Sequence, residues 1–349
     1  MPGEAELWRD AIILDTGDAF SDVNQQQGDR VANAIATAEL LVDRYNVEGV
    51  RAQNIGERDL ALGRAALESL KARAKYPFVT TNLVDAESGK PLFSRFELIE
   101  VARGGKRVKL AIFGLLTARP QPTLEADKLK ILPPVEAMKS ALADAKAQGA
   151  EVVIVLSQLL ARDEAELGDA FPEVQLFLGG DSMGMSPDAE IAGKALSFAG
   201  SQKGKHVGFL KLTFGAAGGP GASFSDPQAK QSIERKRAEA QRRIDTYQRM
   251  LEEAAKPVAP VAPVEPARPR KVPTEVYERQ LASAKAELQL ANDALAAMGA
   301  NEAAAGGKTD TNQVSLELIP LSREVVDDPE VKSLVDEFRK KWPDLTPGH

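Results

Sequence analysis

The sequence contains no cysteine and only two histidines, His206 and His349, in 349 residues. The absence of cysteine excludes disulfide bonds, thiolate zinc sites and cysteine nucleophiles. Two histidines, one of them at the end of the chain, are too few for a histidine-rich metal centre. Aromatic residues are also scarce, at 5% of the chain. Any site chemistry must therefore come mainly from carboxylates, amides and guanidinium groups.

Long apolar runs are absent as well. No stretch approaches the roughly 20 residues that span a bilayer, and the opening residues MPGEAELWRD lack the basic and then apolar pattern of a signal peptide. We expect no transmembrane segment in this chain, although a membrane anchor outside it would leave the same appearance. The net charge of −7 argues against a nucleic-acid-binding protein, which usually carries a basic face. Small molecules and other proteins are the favoured partners.

The first two thirds of the chain alternate short apolar runs with helical patterns, which is typical of an α/β domain. Helices are predicted over 28–46 and 134–148. Residues 196–200 and 206–214 predict an antiparallel pair of strands, and Gly104 and Gly105 predict the turn of another hairpin. The remaining strands, some with a following loop, are predicted over 11–18, 50–59, 77–84, 94–102, 108–116, 151–159 and 174–181.

Composition changes after about residue 215, where two long helical patterns begin. The first covers 228–255, and its apolar positions are Ile233, Ala240, Ile244, Tyr247 and Leu251, with Arg237 interrupting them. The second alternates spacings of four and three residues through Tyr277, Leu281, Ala284, Leu288, Ala291, Leu295 and Met298. Such spacing in two successive helices predicts an antiparallel coiled-coil hairpin.

The connector between these helices, 257–273, carries a proline at every third residue from Pro257 to Pro269. A polyproline II helix has three residues per turn, so these prolines would line one edge of an extended segment. That segment is either a spacer or a docking ligand for another protein.

A strand over 314–321 and a helix opened by Asp328 and Pro329 follow the hairpin. The sequence therefore predicts that the hairpin is inserted between strands of one domain. We expect one domain from 1–225 and 306–349, with residues 226–305 inserted as an arm.

Four loops after predicted strands share a further pattern. The sequence LDTGD ends at Asp18, and NIGERDLALG keeps Gly56 and Gly63 on either side of three charged residues. VLSQL places Gln158 at the end of a strand, and GGDSM contains Asp181 and Met183. In this order, and with the connecting text of 11–214 and 314–340, the chain resembles the metal-binding domain of the 5′-nucleotidase-type calcineurin-like metallophosphoesterases.

The resemblance implies a four-layer α-β-β-α sandwich in which two metal ions would activate water and clamp phosphoryl oxygens. Of the implied ligand positions in the four loops, only Asp18 is unchanged. Glu57 stands where the family has asparagine, and Gln158, Asp181 and Met183 stand where it has histidine. Arg58 occupies the position of the catalytic histidine, and a guanidinium cannot give up a proton near neutral pH. The resemblance also implies an upstream Asp-x-His strand and a second, nucleotide-binding domain, and we expect neither in this sequence.

We therefore expect a non-catalytic binding or scaffold protein, with no bound metal and with the arm of 226–305 as the element that contacts a protein partner. In this interpretation Arg58 forms an ion-pair network with Asp18, Glu57, Asp59 and Asp181 where the metals would lie. Asp18 has a simpler alternative role as a cap for the turn after its strand. His206 is expected to be structural.

An enzymatic alternative remains open. Four oxygen ligands would suit a single Mg²⁺, Mn²⁺ or Ca²⁺ ion in a residual phosphoesterase, and they are Asp18, Glu57, Gln158 and Asp181. A third alternative is a purely structural protein that displays its arm. Because the family is mostly secreted or periplasmic, the resemblance implies a periplasmic or extracellular location.

Overall fold

The computed structural model of the chain describes ten segments: residues 11–21, 30–103, 106–119, 122–179, 189–199, 205–215, 219–255, 274–304, 312–322 and 325–342. The helices are α1 (Arg30–Glu48), α2 (Arg64–Arg73), α3 (Pro122–Ala126), α4 (Pro134–Ala147), α5 (Ala161–Ala170), α6 (Pro227–Ala255), α7 (Thr274–Ala304) and α8 (Pro329–Lys341). The fold is a mixed α/β architecture, as the sequence predicts. None of the helices in these segments is both long and apolar enough to cross a membrane.

The strands fall into two sheets of three or more strands and two short pairs. They are β1 (Leu14–Asp15), β2 (Ala52–Gln53), β3 (Leu83–Asp85), β4 (Phe96–Arg103), β5 (Lys106–Leu116), β6 (Leu129–Ile131), β7 (Val152–Gln158), β8 (Val174–Gly179), β9 (Glu190–Ala192), β10 (Ala195–Phe198), β11 (His206–Thr213), β12 (Phe224–Ser225) and β13 (Asn312–Pro320). β1 pairs in parallel with β2, and β3 is antiparallel to β6.

The larger sheet has the strand order β4-β5-β7-β8-β10-β9. Its inner strands are parallel and its two edge strands are antiparallel to their neighbours. The predicted hairpin of β4 and β5 is confirmed, although its turn at 104–105 lies outside the described residues. Because side chains alternate across a strand, Phe113 and Val155 face α4 and α5, whereas Ile112 and Ile154 face the opposite side.

On that opposite side the large sheet packs against the sheet β11-β13-β12. Leu210, Leu212, Val314 and Leu316 from β11 and β13 share one apolar cluster with the large sheet. A separate cluster lies between α1, α2 and the loops around Phe20 and Phe78. The carboxyl ends of β1, β2, β5 and β7 lead into the loops that carry the predicted site.

The predicted antiparallel pair of 196–200 and 206–214 is wrong. β10 lies between β8 and β9 in the large sheet, with every residue buried. β11 instead runs antiparallel to β13, from the pair His206 and Pro320 to the pair Thr213 and Gln313. Neighbouring strands in sequence usually pair, but the fully buried β10 is suited to an inner position and the half-exposed β11 to an edge.

The predicted strand over 77–84 is also wrong in its extent. Phe78 and Val79 form only isolated bridges, and the regular strand begins at Leu83. Between Val79 and Leu83, polar side chains form hydrogen bonds with backbone carbonyl groups of other segments. Thr81 Oγ1 donates to the Arg95 carbonyl oxygen, and Asn82 Nδ2 donates to the carbonyls of Leu116 and Leu132. These contacts tie the loop to β5 in a way that hydrophobic periodicity does not show.

The two long helices α6 and α7 lie in the chain between β12 and β13 and pack along each other. Ile233, Ala240 and Ile244 of α6 are buried, as are Ala284 and Ala291 of α7. Arg243 Nη1 lies 2.6 Å from Glu287 Oε2 across the pair. At the base, Ala229 and Met298 contact the cluster that contains Val314 of β13. The apolar tracks thus lie at the helix contact, while the proline-rich connector 257–273 lies outside the described residues.

Candidate functional site

A buried carboxylate, Asp59, joins the loops that follow β1 and β2. Its Oδ2 accepts hydrogen bonds from the backbone N–H groups of Asp18 at 2.9 Å and Gly56 at 2.8 Å, and its Oδ1 accepts one from Phe20 at 2.8 Å. Asp59 is 0% exposed and begins a short 3₁₀ turn, Asp59–Leu62. The two loops are therefore held together by one side chain in their own core.

Gly56 allows these loops to approach each other closely. A Cβ atom at Gly56 would lie 2.1 Å from Asp18 Oδ1 and 2.4 Å from the Asp18 backbone nitrogen. Asp18 has φ 61°, a left-handed conformation that aspartate tolerates better than most residues. The sequence of each loop thus fits the close backbone contact between them.

Asp18 faces Arg58 on the neighbouring loop. Asp18 Oδ1 accepts a 2.7 Å hydrogen bond from the backbone N–H of Arg58, and Asp18 Oδ2 lies 3.7 Å from Arg58 Nε. The Arg58 side chain is 48% exposed and that of Asp18 is 21% exposed. The carboxylate therefore caps a backbone N–H of the facing loop and also pairs with a guanidinium that is half in solvent.

Glu57 points to a different arginine. Arg119, just after β5, places Nη1 3.4 Å from Glu57 Oε2. The sequence analysis did not single out Arg119. The signal for it was its place just after a predicted strand, like the residues of the other site loops. The ion pair joins the loop after β5 to the loop after β2.

Gln158 ends β7 and contacts the loop that carries Asp18. Its Nε2 donates a 3.1 Å hydrogen bond to the carbonyl oxygen of Thr16. Asp181 and Met183, the other two predicted site positions, lie outside the described residues. The structure thus brings Asp18 close to Arg58 and brings Gln158 to the same loop, and it describes no contact of Asp181. His206 opens β11 in the second sheet.

One buried and one partly buried carboxyl group, those of Asp59 and Asp15, lie beneath these loops. Burial and the charge of Asp18 raise the pKa of Asp59 to about 7, against the hydrogen bonds from Gly56 and Phe20. Burial also raises the pKa of Asp15, against hydrogen bonds from the Tyr45 hydroxyl at 2.6 Å and the Gly17 N–H at 2.8 Å. The carboxyl groups of Asp15 and Asp59 are therefore shielded from solvent beneath the loops, and protein groups donate hydrogen bonds to both of them.

Two described carboxylates of these loops are paired with arginines. Within the described residues, no group of three or more histidine, cysteine, aspartate or glutamate side chains is close enough to hold a metal ion. Asp18 is paired with Arg58, and Glu57 is paired with Arg119. Binding an ion at either carboxylate would bring a divalent cation next to a guanidinium, which like-charge repulsion opposes.

Sequence comparison finds two curated relatives. The chain is 22% identical over 173 residues to the uncharacterized metallophosphoesterase YunD of Bacillus subtilis, covering 50% of this chain and 36% of that protein. It is 26% identical over 158 residues to the 2′,3′-cyclic-nucleotide 2′-phosphodiesterase/3′-nucleotidase of Yersinia enterocolitica, covering 42% of this chain and 24% of that protein. The resemblance to metallophosphoesterases is confirmed. No family model matches the chain.

Solved metallophosphoesterase-type structures are also among its neighbours. The sulfate thiohydrolase SoxB of Thermus thermophilus has a TM-score of 0.49 at 25% identity, covering 58% of this chain and 36% of that one. A 5′-nucleotidase precursor from the same species has a TM-score of 0.47 at 25% identity, covering 63% and 45%. The metallophosphoesterase-like chain thus spans about a third or less of the curated relatives and less than half of these two structures.

Proposed function

We propose that this protein is a non-catalytic, metallophosphoesterase-like binding or scaffold protein. The observation that carries the proposal is the contact of Asp18 with Arg58. In the family that the chain resembles, the position of Asp18 holds a metal ligand shared by two ions, and the position of Arg58 holds the catalytic histidine. A guanidinium supplies positive charge beside the carboxylate but does not give up a proton near neutral pH. It cannot serve as the general acid for a leaving group.

The finer architecture belongs to the same proposal. Two sheets packed face to face, with α4 and α5 outside one of them, support three of the four layers of the proposed α-β-β-α sandwich. The pairing of β11 with β13 supports residues 1–225 and 306–349 as one domain, interrupted by 226–305. The buried contacts between α6 and α7 support a coiled-coil hairpin in that insertion. By the family resemblance, we place the protein in the periplasm or outside the cell.

Thermal unfolding with added divalent cations distinguishes this proposal from a second one. The second is a residual phosphoesterase whose oxygen ligands are Asp18, Glu57, Gln158 and Asp181. An ion bound with a dissociation constant a hundredfold below its concentration adds about 2.7 kcal/mol to the free energy of unfolding. We expect melting of the parent protein to be unchanged by Mg²⁺, Mn²⁺ or Ca²⁺. A stabilisation of that size that disappears in Asp18→Ala would show that the site holds an ion.

Arg58→Ala tests whether the guanidinium stands in for the metals. Because the pair is half-exposed, we expect a loss of less than about 1 kcal/mol in the free energy of unfolding, part of which Mg²⁺ restores. The matched control is Arg107→Ala, which removes an exposed arginine paired at 2.9 Å with Glu100 far from the site loops. If Mg²⁺ leaves both variants equally unchanged, Arg58 does not replace a cation.

The arm of 226–305 is proposed to contact a protein partner. The arm joins β12 and β13, which are parallel neighbours. A crossover between parallel strands needs a dozen or more residues, and two helices of 29 and 31 residues extend well beyond that requirement. At 1.5 Å per residue each is about 45 Å long. Their outer surfaces expose Leu290, which is 69% exposed, and Met250, which is 39% exposed.

A distal deletion tests the arm without disturbing its base. Ala229 and Met298 contact the apolar cluster of the large sheet, and Ile233 is buried. The deletion should therefore keep these residues and replace only 237–292 with a short Gly-Ser turn. We expect a core that melts as the parent does and that no longer retains proteins bound by the full chain. Retention of the same proteins would place recognition elsewhere, and an unfolded core would show that the distal arm is part of the domain.

A further inference from the structure

The helix α5 places a glutamate side chain in the interior of the domain. Glu164 lies in the first turn of this helix and is 5% exposed. Its Oε1 is 2.5 Å from Ser157 Oγ of β7, and its Oε2 is 2.8 Å from Ser197 Oγ of β10. Because β7 and β10 flank β8 in the large sheet, this one carboxyl group joins α5 to strands on both sides of β8.

Among the described residues, no lysine, arginine or histidine forms an ion pair with Glu164. The neighbouring strands β7, β8 and β10 carry no charged residue. The charge that acts on Glu164 from β9 is that of Glu190, which is also negative. Asp163, the preceding residue of α5, differs because it is paired at 3.3 Å with Arg162. An ionised Glu164 would therefore be a buried charge without compensation, which is costly.

The surroundings of Glu164 favour its protonated form. Burial raises the pKa of Glu164 above its ordinary value of 4.5, against the hydrogen bonds from the two serines, and the charge of Glu190 acts in the same direction as burial. The amino end of a helix favours a carboxylate, but α5 packs closely here. A Cβ atom at Gly168, one turn later, would lie 2.0 Å from the Ala192 carbonyl oxygen. Serine hydroxyls donate or accept hydrogen bonds, so both contacts persist when the carboxyl group is protonated.

The contact with Ser157 connects this carboxyl group to the site loops. Ser157 Oγ also accepts a 3.2 Å hydrogen bond from the backbone N–H of Leu159, which fixes the turn after β7. Gln158 in that turn donates to the Thr16 carbonyl oxygen of the loop after β1. We propose that Glu164 is a pH-dependent link, which when protonated in mild acid fixes α5 and the turn after β7, and whose ionisation loosens both as the pH rises.

Equilibrium unfolding in urea between about pH 4 and about pH 8 tests the proposal with Glu164→Gln, which keeps the size of the side chain but does not titrate. Below the ordinary pKa, the carboxyl group is protonated in both the folded and the unfolded chain. As the pH rises, the unfolded chain releases this proton before the native protein does. The folding equilibrium constant of the parent should therefore fall relative to that of Glu164→Gln, by up to about tenfold per pH unit, until the native carboxyl group ionises. Asp15 and Asp59 are present in both proteins, so their titration cancels in this ratio.

Asp163→Asn is the matched control for Glu164→Gln. It removes a carboxyl group that also contacts a hydroxyl, Thr117 Oγ1 at 2.6 Å, but that is paired with Arg162. We expect no gain in stability over the parent as the pH rises. A ratio of the parent to Glu164→Gln that stays constant over the whole range, or an equal pH-dependent gain in Asp163→Asn, would overturn the proposal.

Hydrogen exchange in the parent measures the loosening without any substitution. The helix α4 packs on the same face of the large sheet as α5 and serves as the internal reference at each pH. We expect the protection of the α5 amides and of the Leu159 N–H to fall relative to α4 as the pH rises from about 5 to about 8. Relative protection that does not change with pH would show that ionisation of Glu164 does not loosen α5.

Discussion

Asp59→Ala is expected to lower the free energy of unfolding by about 3 kcal/mol or more. The side chain is fully buried and accepts three backbone hydrogen bonds, from Asp18, Phe20 and Gly56. Its removal leaves three backbone donors without an acceptor in the protein interior, each at about 1–3 kcal/mol if water does not enter. The loss is measured by equilibrium unfolding in urea.

Two further variants show whether the lost acceptors cause the effect. Glu57→Ala removes the carboxylate two residues earlier, which is 42% exposed and paired with Arg119, so its cost should stay below about 1 kcal/mol. Asp59→Asn keeps the size of the side chain but gives up one acceptor oxygen. Its loss in the free energy of unfolding should therefore lie between those of Glu57→Ala and Asp59→Ala. If Asp59→Ala is no more damaging than Glu57→Ala, Asp59 does not hold the loops together.

Gly114→Ala is expected to cost about 3 kcal/mol, the upper part of the range for overpacked interiors. Gly114 lies within β5, and a Cβ atom there would be 1.8 Å from the Val79 carbonyl oxygen and 2.4 Å from Asn54 Oδ1. The first is a backbone atom, and Asn54 is fully buried with its Nδ2 bonded to the Leu156 carbonyl. Neither can move without breaking the contacts between β5, β7 and the site loops.

Gly208→Ala is the matched control for Gly114→Ala. Gly208 also lies in a strand, β11, but the nearest atom to its added Cβ would be Leu316 Cδ1 at 3.3 Å. The end of a leucine side chain can move by a few tenths of an ångström, so the change should cost less than about 1 kcal/mol. Equal urea midpoints for the two alanine variants would show that the loop over 79–82 adapts to β5.

The strands and loops of the site could be predicted because each signal is local. The apolar runs of β5, β7 and β8 are separated by turn residues, and the start of α8 at Asp328 and Pro329 has a recognisable cap. The apolar positions of α6 and α7 could be predicted in the same way, since their buried residues recur at helical spacing. In each case the sequence within one element carries the information.

The errors and omissions involve contacts between distant parts of the chain. The partner of β11 is β13, separated from it by both long helices, so neighbouring sequence pointed to the wrong pair. Arg119 after β5 meets Glu57 after β2, although β2 and β5 lie in different sheets and 62 residues separate the two side chains. The role of Asp59 depends on backbone N–H groups about 40 residues away. Such contacts leave no periodic trace in one sequence.

Hydrolysis of phosphate esters by the purified full chain tests the central claim most directly. The assay measures turnover of p-nitrophenyl phosphate, nucleotides and UDP-sugars with and without Mn²⁺, Co²⁺ or Zn²⁺, beside Asp18→Ala. With Arg58 at the position of the catalytic histidine and paired with Asp18, we predict that no cation raises turnover above the level of Asp18→Ala. Cation-dependent turnover in the parent that is lost in Asp18→Ala would contradict the account.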